Sequence, residues 1–505
     1  MHMVPRVMST QHPDNASPPW WQADAVIQGD GEVEETFRSY SELGVDEAMW
    51  DAEGKDVDYH VVRKILSRYP DFFRERELGR DLFLTYRIPN ASIEGPERKV
   101  VMETLESIPV SHDVASRFYE RKVSPVFQVI IPFTTSSKDL ISVLSYYRKV
   151  VVGKGRISLD SGMTVDEWIG DSEPKQIDII PLIEDMPSVL KIREIVQEYV
   201  RFAYPKYMRV FIARSDPAMN YGFISATLLA KYAVHEIHRM SEGMGIPFYP
   251  ILGAGTSVFR GRLVPGNEKR VMDEYRGYHT FTAQSAFRYD YGRDEARSAV
   301  ESLMRNVVKE PMPVDAVQLR KVLEPYVARY QRMLESIAGL INVCARYIPP
   351  RRSRKLHIGL FGYSRNQGGI VLPRAITFVA ALYSMGLPPE VFGISALQEM
   401  GDGDVDFIMS TYRGLREDLS AAAGLFNWDA LDILGGSLKD EFRGMLLEDL
   451  RYLQDTLGIK PGPQDYATKK HALLSSLFLI SMQSGHDDEA RSAVLEMARA
   501  RRTLG

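Results

Sequence analysis

The sequence predicts an α/β fold: a TIM-type (β/α)8 barrel carrying many additional helices and a helical C-terminal region. Three observations predict it. Short β-rich runs alternate with helical stretches along most of the chain. The runs are near-continuously apolar, as parallel strands covered on both faces must be. They number about eight, the count that closes a barrel.

In order, the runs are VPRVMS (residues 4–9), DLFLTYRIPN (81–90), VFQVIIPFTTSS (126–137) and KQIDIIPLIED (175–185). MRVFIARSDPAMN (208–220), PFYPILGAGTS (247–257), a weaker YHTFTAQSAF (278–287) and KLHIGLFGYSRNQGG (355–369) complete them. β-branched and aromatic residues fill each run, and polar or glycine-rich residues end it. Extra helices are expected over residues 38–73 and 290–347. From residue 411 onward the pattern is helical throughout, broken by glycines and by KPGP (460–463). The expected division is therefore 1–410, a barrel with inserted helices, and 411–505, a helical extension packed on it.

Composition narrows the function classes. Of 505 residues, 45% are hydrophobic and 26% charged, with a net charge of -5, which argues against a general nucleic-acid binder. Cys344 is the single cysteine, so no disulfide framework or thiolate cluster is expected and a reducing cytoplasm fits. There is no basic, then apolar leader, and the longest apolar run, ALLSSLFLISM (472–482), is too short for a bilayer and reads as a buried helix. No membrane or nucleic-acid partner is expected.

In a barrel of this kind the chemistry sits where the strands end. STQHPDNA follows the first strand, and locally His12-Pro13-Asp14-Asn15 is good turn chemistry. Yet His12, Arg87, Glu184, Asp216, Arg260 and Arg365 all follow strands, so they converge on one mouth. Glu184 and Asp216 supply two oxygen ligands of the kind Mg2+ or Mn2+ takes together with water and substrate oxygens. The same two residues suit the caps of the helices that follow, and spacing alone does not separate the readings. Arg87, Arg260, Arg262, Arg365 and Arg374 indicate an anionic substrate, because a guanidinium grips carboxylate or phosphate through two parallel hydrogen bonds. PPRRSRK (349–355) precedes a run read as a strand and is expected at the opposite rim as solvated surface. HEIHR (235–239) lacks zinc-ligand spacing and reads as a helix face, GKGR (153–156) as a connecting loop, and Cys344 as packing.

STQHPDNA, LTYRIPN, PLIED, ARSDPAMNYG and GYSRNQGG…LPRAITF, in this order over residues 9–398, resemble phosphoenolpyruvate carboxylase of the archaeal type. The resemblance implies conversion of phosphoenolpyruvate and bicarbonate to oxaloacetate and phosphate through carboxyphosphate and the enolate of pyruvate. It implies Mg2+ or Mn2+ on Glu184 and Asp216, and His12 handling the carboxyphosphate proton. Arg87, Arg260, Arg365 and Arg374 would hold phosphate and carboxylate, and a cytoplasmic homotetramer is implied. Two departures stand out: LGAGTS (252–257) lacks the histidine and arginine of the longer enzymes' glycine-rich loop, and Met219 stands where they carry a lysine. Arg262 could then share the role of Arg260. The nearest rival is another Mg2+-dependent barrel lyase acting on phosphoenolpyruvate, pyruvate or an oxo-acid. A non-catalytic helical scaffold would need no such polar convergence.

Overall fold

The computed structural model describes residues 4–53, 58–95, 98–159, 162–353 and 371–505. Eight parallel strands close a barrel: β1 (Val7–Ser9), β2 (Glu47–Asp51), β3 (Phe83–Arg87), β4 (Gln128–Ile131), β5 (Asp178–Ile183), β6 (Met208–Ala213), β7 (Phe248–Gly253) and β8 (Thr280–Ala283). Closure is made by β1, where Met8 lies opposite Glu47 of β2 on one side and Thr282 of β8 on the other.

Seven of these strands lie within runs that the sequence reading marked. β2 does not. Its residues Glu47-Ala48-Met49-Trp50-Asp51 fall inside the stretch read as helical insertion, while the run at 355–369 lies outside the described residues and the barrel closes without it. The physical reason is a buried charge. All five β2 residues are buried, and Glu47 has no exposed surface, because Arg209 of β6 meets its carboxylate. A strand that begins and ends on carboxylates does not look apolar from the sequence.

That pair forms a polar floor at the N-terminal end of the barrel. Arg209 Nη1 and Nη2 donate to the two oxygens of Glu47, each at 2.7 Å, a bidentate geometry that suits a desolvated ion pair. Nη1 also donates to Gln128 Oε1 at 2.7 Å, and Thr85 Oγ1 donates to Glu47 Oε1 at 2.5 Å. Above the floor lies an apolar plug, Met8, Met49, Ile130, Ile180, Leu182, Phe211 and Ile251, drawn from six strands. The interior is therefore filled, and only the C-terminal mouth is left to hold a ligand.

Helices wrap the outside. Phe223–Met244 packs its apolar residues inward, and HEIHR lies on it as an ordinary face: Glu236 pairs with Arg193 at 3.1 Å and Arg239 at 3.2 Å. The long helix Ala316–Cys344 starts on a cap in which Asp315 accepts from Gln318 N at 2.7 Å. Its last residue, Cys344, is fully buried with its sulfur 3.6 Å from that of Met482. Helices from 402 to 501 pack back onto this body: Glu274 accepts from Gly414 N at 2.8 Å, and Arg329 reaches Asp449 at 3.3 Å. One expectation is corrected here. Residues 472–482 are helical, within Tyr466–Gln483, but only one side is covered: Phe478 is buried whereas Leu473 is 73% exposed. Among the described residues no single helix is long and apolar enough to cross a membrane.

Glu47→Gln leaves the Arg209 guanidinium buried without its counter-charge and is expected to cost about 3–5 kcal/mol. Its thermal unfolding midpoint should fall by several degrees, and an unchanged midpoint would show that the floor pair contributes nothing. Burial also pushes the Cys344 thiol pKa up. A thiol reagent should accordingly leave the native protein unlabelled and modify one group per chain in denaturant.

Candidate active site

The barrel mouth opens into a cavity of about 640 Å3. His12, Arg87, Glu184, Asp216, Arg260 and Arg374 all line it, so the convergence read from the sequence is real in space. Arg365 lies outside the described residues. Arg262 is the exception. It does not line the cavity; Arg262 Nη1 instead donates to Asp418 Oδ1 at 3.1 Å, with Glu417 at 3.5 Å. The intervening Gly261 has φ 115° and Arg262 itself has φ 53°, and this left-handed turn sends the two arginines to different partners. The expectation that Arg262 shares the role of Arg260 is thereby overturned.

The two carboxylates sit at the ends of neighbouring strands β5 and β6, and neither caps a helix. The helix Met186–Leu190 is capped by Asp185, whose Oδ1 accepts from Ser188 N at 2.7 Å. The helix Ser215–Tyr221 begins after Arg214 with no side-chain cap, and Asp216 lies in its first turn. Glu184 accepts from Phe133 N at 2.8 Å through Oε2. Two carboxylates facing one polar cavity fit a hard divalent cation that completes its shell with water and substrate oxygens. Among the described residues no group of three or more His, Cys, Asp or Glu is placed to hold a metal ion.

The loop after β1 is held far more tightly than a chain end normally is. Asp14, fully buried, is its anchor: Oδ2 accepts from Thr256 Oγ1 at 2.8 Å and from Arg260 Nη1 at 3.0 Å, and Oδ1 from Ala286 N at 2.8 Å. Asp290 accepts from Ala16 N at 2.6 Å and Ser17 N at 2.7 Å, although burial pushes its carboxyl pKa up to about 6. Arg351 donates to the carbonyls of Asn15, at 3.0 Å, and Ala16, at 2.6 Å. Arg288 donates to Thr10 O at 2.8 Å. With its backbone so fixed, His12 turns its ring into the mouth, with Nδ1 2.8 Å from Thr10 Oγ1.

The arginines are not bare clamps. Arg87 is ion-paired with Glu53 and lies 3.7 Å from Asp51. Arg260 spends four of its five N–H donors on protein: Nε on Ser215 at 3.0 Å, Nη1 on Asp14 and on an oxygen of Gly505 at 2.8 Å, and Nη2 on Gln284. It can offer a ligand one further N–H without giving up a bond. Residues 503–505 reach this point because Leu504 N donates to Asp14 O at 2.7 Å and Leu504 O accepts from Arg501 at 3.0 Å.

The sequence reading placed PPRRSRK at the far rim, and the structure reverses it. Pro349, Pro350, Arg351, Arg352 and Ser353 all line the same cavity. Arg352 is 3% exposed, bound by Glu35 at 2.5 Å, with Glu32 at 3.5 Å. The reversal has a simple cause: residues 351–353 pair with Ile27 rather than entering the barrel, Ile27 N donating to Arg351 O at 3.0 Å. Asp14, Glu53, Gln284, Arg351 and residues 503–505 are thus the parts of the site that sequence reasoning missed. Only Asp14, inside the quoted HPDN turn, carried any local signal.

A family model described as phosphoenolpyruvate carboxylase matches residues 4–505. The phosphoenolpyruvate carboxylase of Metallosphaera sedula is 50% identical over 100% of both chains. That of Picrophilus torridus is 46% identical over 100% of this chain and 99% of its own. Among solved structures, the Haloferax volcanii malate synthase in ternary complex with pyruvate and acetyl-CoA is similar at 12% identity and a TM-score of 0.39, covering 82% of this chain and 97% of that one. The chain belongs to the phosphoenolpyruvate carboxylase family, in its archaeal type.

Asp14→Asn removes the side-chain carboxylate ion-paired with the buried Arg260 guanidinium, and about 3–5 kcal/mol of stability should go with it. Arg262→Ala, whose side chain is outside the cavity, should leave turnover within about twofold while the midpoint changes little, since Arg270 and Tyr412 still hold Asp418. Steady-state rates and thermal unfolding of the two variants side by side check both expectations. A turnover collapse in Arg262→Ala would return that residue to the site.

Proposed function

We propose that this chain carboxylates phosphoenolpyruvate with bicarbonate, giving oxaloacetate and inorganic phosphate through carboxyphosphate and the enolate of pyruvate, as an anaplerotic carbon-fixing enzyme. The observation that carries the reading is the pair Glu184 and Asp216: neither caps a helix, and both face the cavity that His12 and the arginines line. Family membership supplies the substrates. A cytoplasmic homotetramer belongs to the same reading.

Glu184 and Asp216 would hold Mg2+ or Mn2+, which when bound supplies a positive centre that stabilises negative charge on substrate oxygens. The remaining work falls to side chains. A bicarbonate oxygen attacks phosphorus and the bond from phosphorus to the enol oxygen breaks, leaving carboxyphosphate and the enolate. Both fragments are anionic, and guanidinium groups fixed in a water-poor mouth stabilise them without reorganising. Arg260 is held from four sides by Ser215, Asp14, Gly505 and Gln284, so its remaining N–H is aimed before substrate arrives. Arg87, gripped by Glu53, is oriented in the same way, and Arg374 lines the cavity from the start of the helix Ala375–Ser384.

Carboxyphosphate then divides into CO2 and phosphate, and the enolate carbon takes up the CO2. The proton that entered on bicarbonate leaves on phosphate. His12 is the group that would hold it in between, because an imidazole exchanges protons near neutrality and the Thr10 contact fixes the ring. A closed mouth matters here, since water would protonate the enolate to pyruvate.

A coupled oxaloacetate assay with and without bicarbonate tests the reading directly: product must require bicarbonate. Asp216→Asn and Glu184→Gln should each weaken Mn2+ binding at least about tenfold by titration calorimetry and cut carboxylation by orders of magnitude. His12→Asn should keep Mn2+ and phosphoenolpyruvate binding while turnover falls roughly 10²- to 10⁴-fold. Undiminished Mn2+ affinity in both carboxylate variants would remove the metal assignment, and near-normal turnover in His12→Asn would return that residue to its turn.

A further inference from the structure

We propose that Arg351 is a substrate-binding residue, presenting an end-on guanidinium fork to the phosphate of phosphoenolpyruvate. The inference rests on the functional reading above and assigns a further residue to that site.

Arg351 is 6% exposed and lines the cavity, so its charge is already withdrawn from bulk water. A buried guanidinium is costly unless an anion meets it. The other buried arginines that line the cavity each have one: Glu53 for Arg87, Asp14 for Arg260, Glu35 for Arg352. Arg351 is different. Among the described residues no carboxylate lies within ion-pairing distance of it, and its protein partners are two neutral carbonyls, Asn15 O and Ala16 O. Asp290 is the carboxylate whose field reaches it, and the Asp290 oxygens are taken up by Ala16 N and Ser17 N. Burial lowers the Arg351 pKa, the direction expected where compensation in the protein is incomplete.

The geometry of what remains is specific. Nε and one Nη2 hydrogen, the side-on pair, are spent on the carbonyls. Of the five N–H groups, the two on Nη1 and the second on Nη2 remain. One Nη1 hydrogen and the free Nη2 hydrogen form the end-on fork, which matches two oxygens of one phosphate. The carbonyl bonds hold the planar group still, so little rotamer freedom is left to lose when the anion binds. Arg351 thus supplies a cavity guanidinium in a chain whose 252–257 loop, Leu252-Gly253-Ala254-Gly255-Thr256-Ser257, contains none.

The difficulty for any test is that Arg351 also braces the loop that carries His12. Asp290→Asn is the matched control: it loosens the same loop through Ala16 and Ser17 and keeps every guanidinium. Because it also lifts a negative field from Arg351, it would by charge alone tighten anion binding, so only loop loosening could raise the constants. The measurements are KM for phosphoenolpyruvate, KM for bicarbonate, and the inhibition constant of inorganic phosphate competing with phosphoenolpyruvate, all on the full chain with Mn2+. Arg351→Met should raise the phosphoenolpyruvate KM and the phosphate inhibition constant together, about ten- to a hundred-fold, with Arg351→Lys in between. Asp290→Asn should leave both within about twofold, whatever it does to kcat. If Arg351→Met does not fold, Arg351→Lys alone decides, with a rise of at least about threefold in both constants expected. Unchanged constants, equal changes in the Asp290 control, or a rise confined to the bicarbonate KM would each overturn the assignment. Wild-type protein that forms no oxaloacetate sinks the functional reading and this inference with it. Normal wild-type turnover with an indifferent Arg351 sinks the inference alone.

Discussion

The site depends on one buried ion pair, Asp14 with Arg260. Asp14 sits in the loop after β1, Arg260 in the loop after β7, and neither has more than 1% of its surface exposed. Charges so placed hold only when well hydrogen-bonded, and here both carboxylate oxygens of Asp14 and four of the five Arg260 N–H groups are engaged. Asp14 collects Thr256, Arg260 and the backbone of Ala286, while its own carbonyl receives Leu504. Four stretches of chain, its own included, therefore meet at one residue, two of the others through its carboxylate and the third through its carbonyl. The His12 loop owes its rigidity to the same contact, reinforced by Asp290, Arg288 and Arg351.

The barrel repeats this solution at its other end. Arg209 and Glu47 close the floor with a bidentate pair, and an apolar plug separates it from the mouth. With the interior filled, the strand ends line the cavity of about 640 Å3. Loops can then change without disturbing the frame.

At the mouth, most arginines come with their own carboxylates. This sets them apart from a simple basic patch. A guanidinium paired on one side keeps a fixed direction and a moderated charge, so it stabilises charge that develops during reaction more than it traps any passing anion. Arg87 and Arg260 are each paired in this way, and Arg352 is paired with Glu35 and Glu32 in the wall of the cavity. Glu184 and Asp216 bring negative charge to the same space, which a bound cation would balance.

The sequence by itself determined the barrel and its polarity for seven strands, since near-continuous apolar runs ending in polar residues are written locally. It also pointed to candidate site residues at the strand ends that line one cavity, because a residue following a strand inherits the strand's direction. What only the tertiary structure decided were the partnerships. β2 was hidden because Glu47 is buried through Arg209, which stands 162 positions away in the chain. Arg351 and Arg352 look like solvated surface until Ile27 and Glu35 fold over them from the other end of the chain. Arg260 and Arg262, two positions apart, part company at Gly261 because Asp14 takes one and Asp418 the other. Periodicity and composition are properties of neighbours along the chain. The neutralisation of a buried charge is a property of neighbours in space, and here those neighbours lie up to hundreds of residues apart.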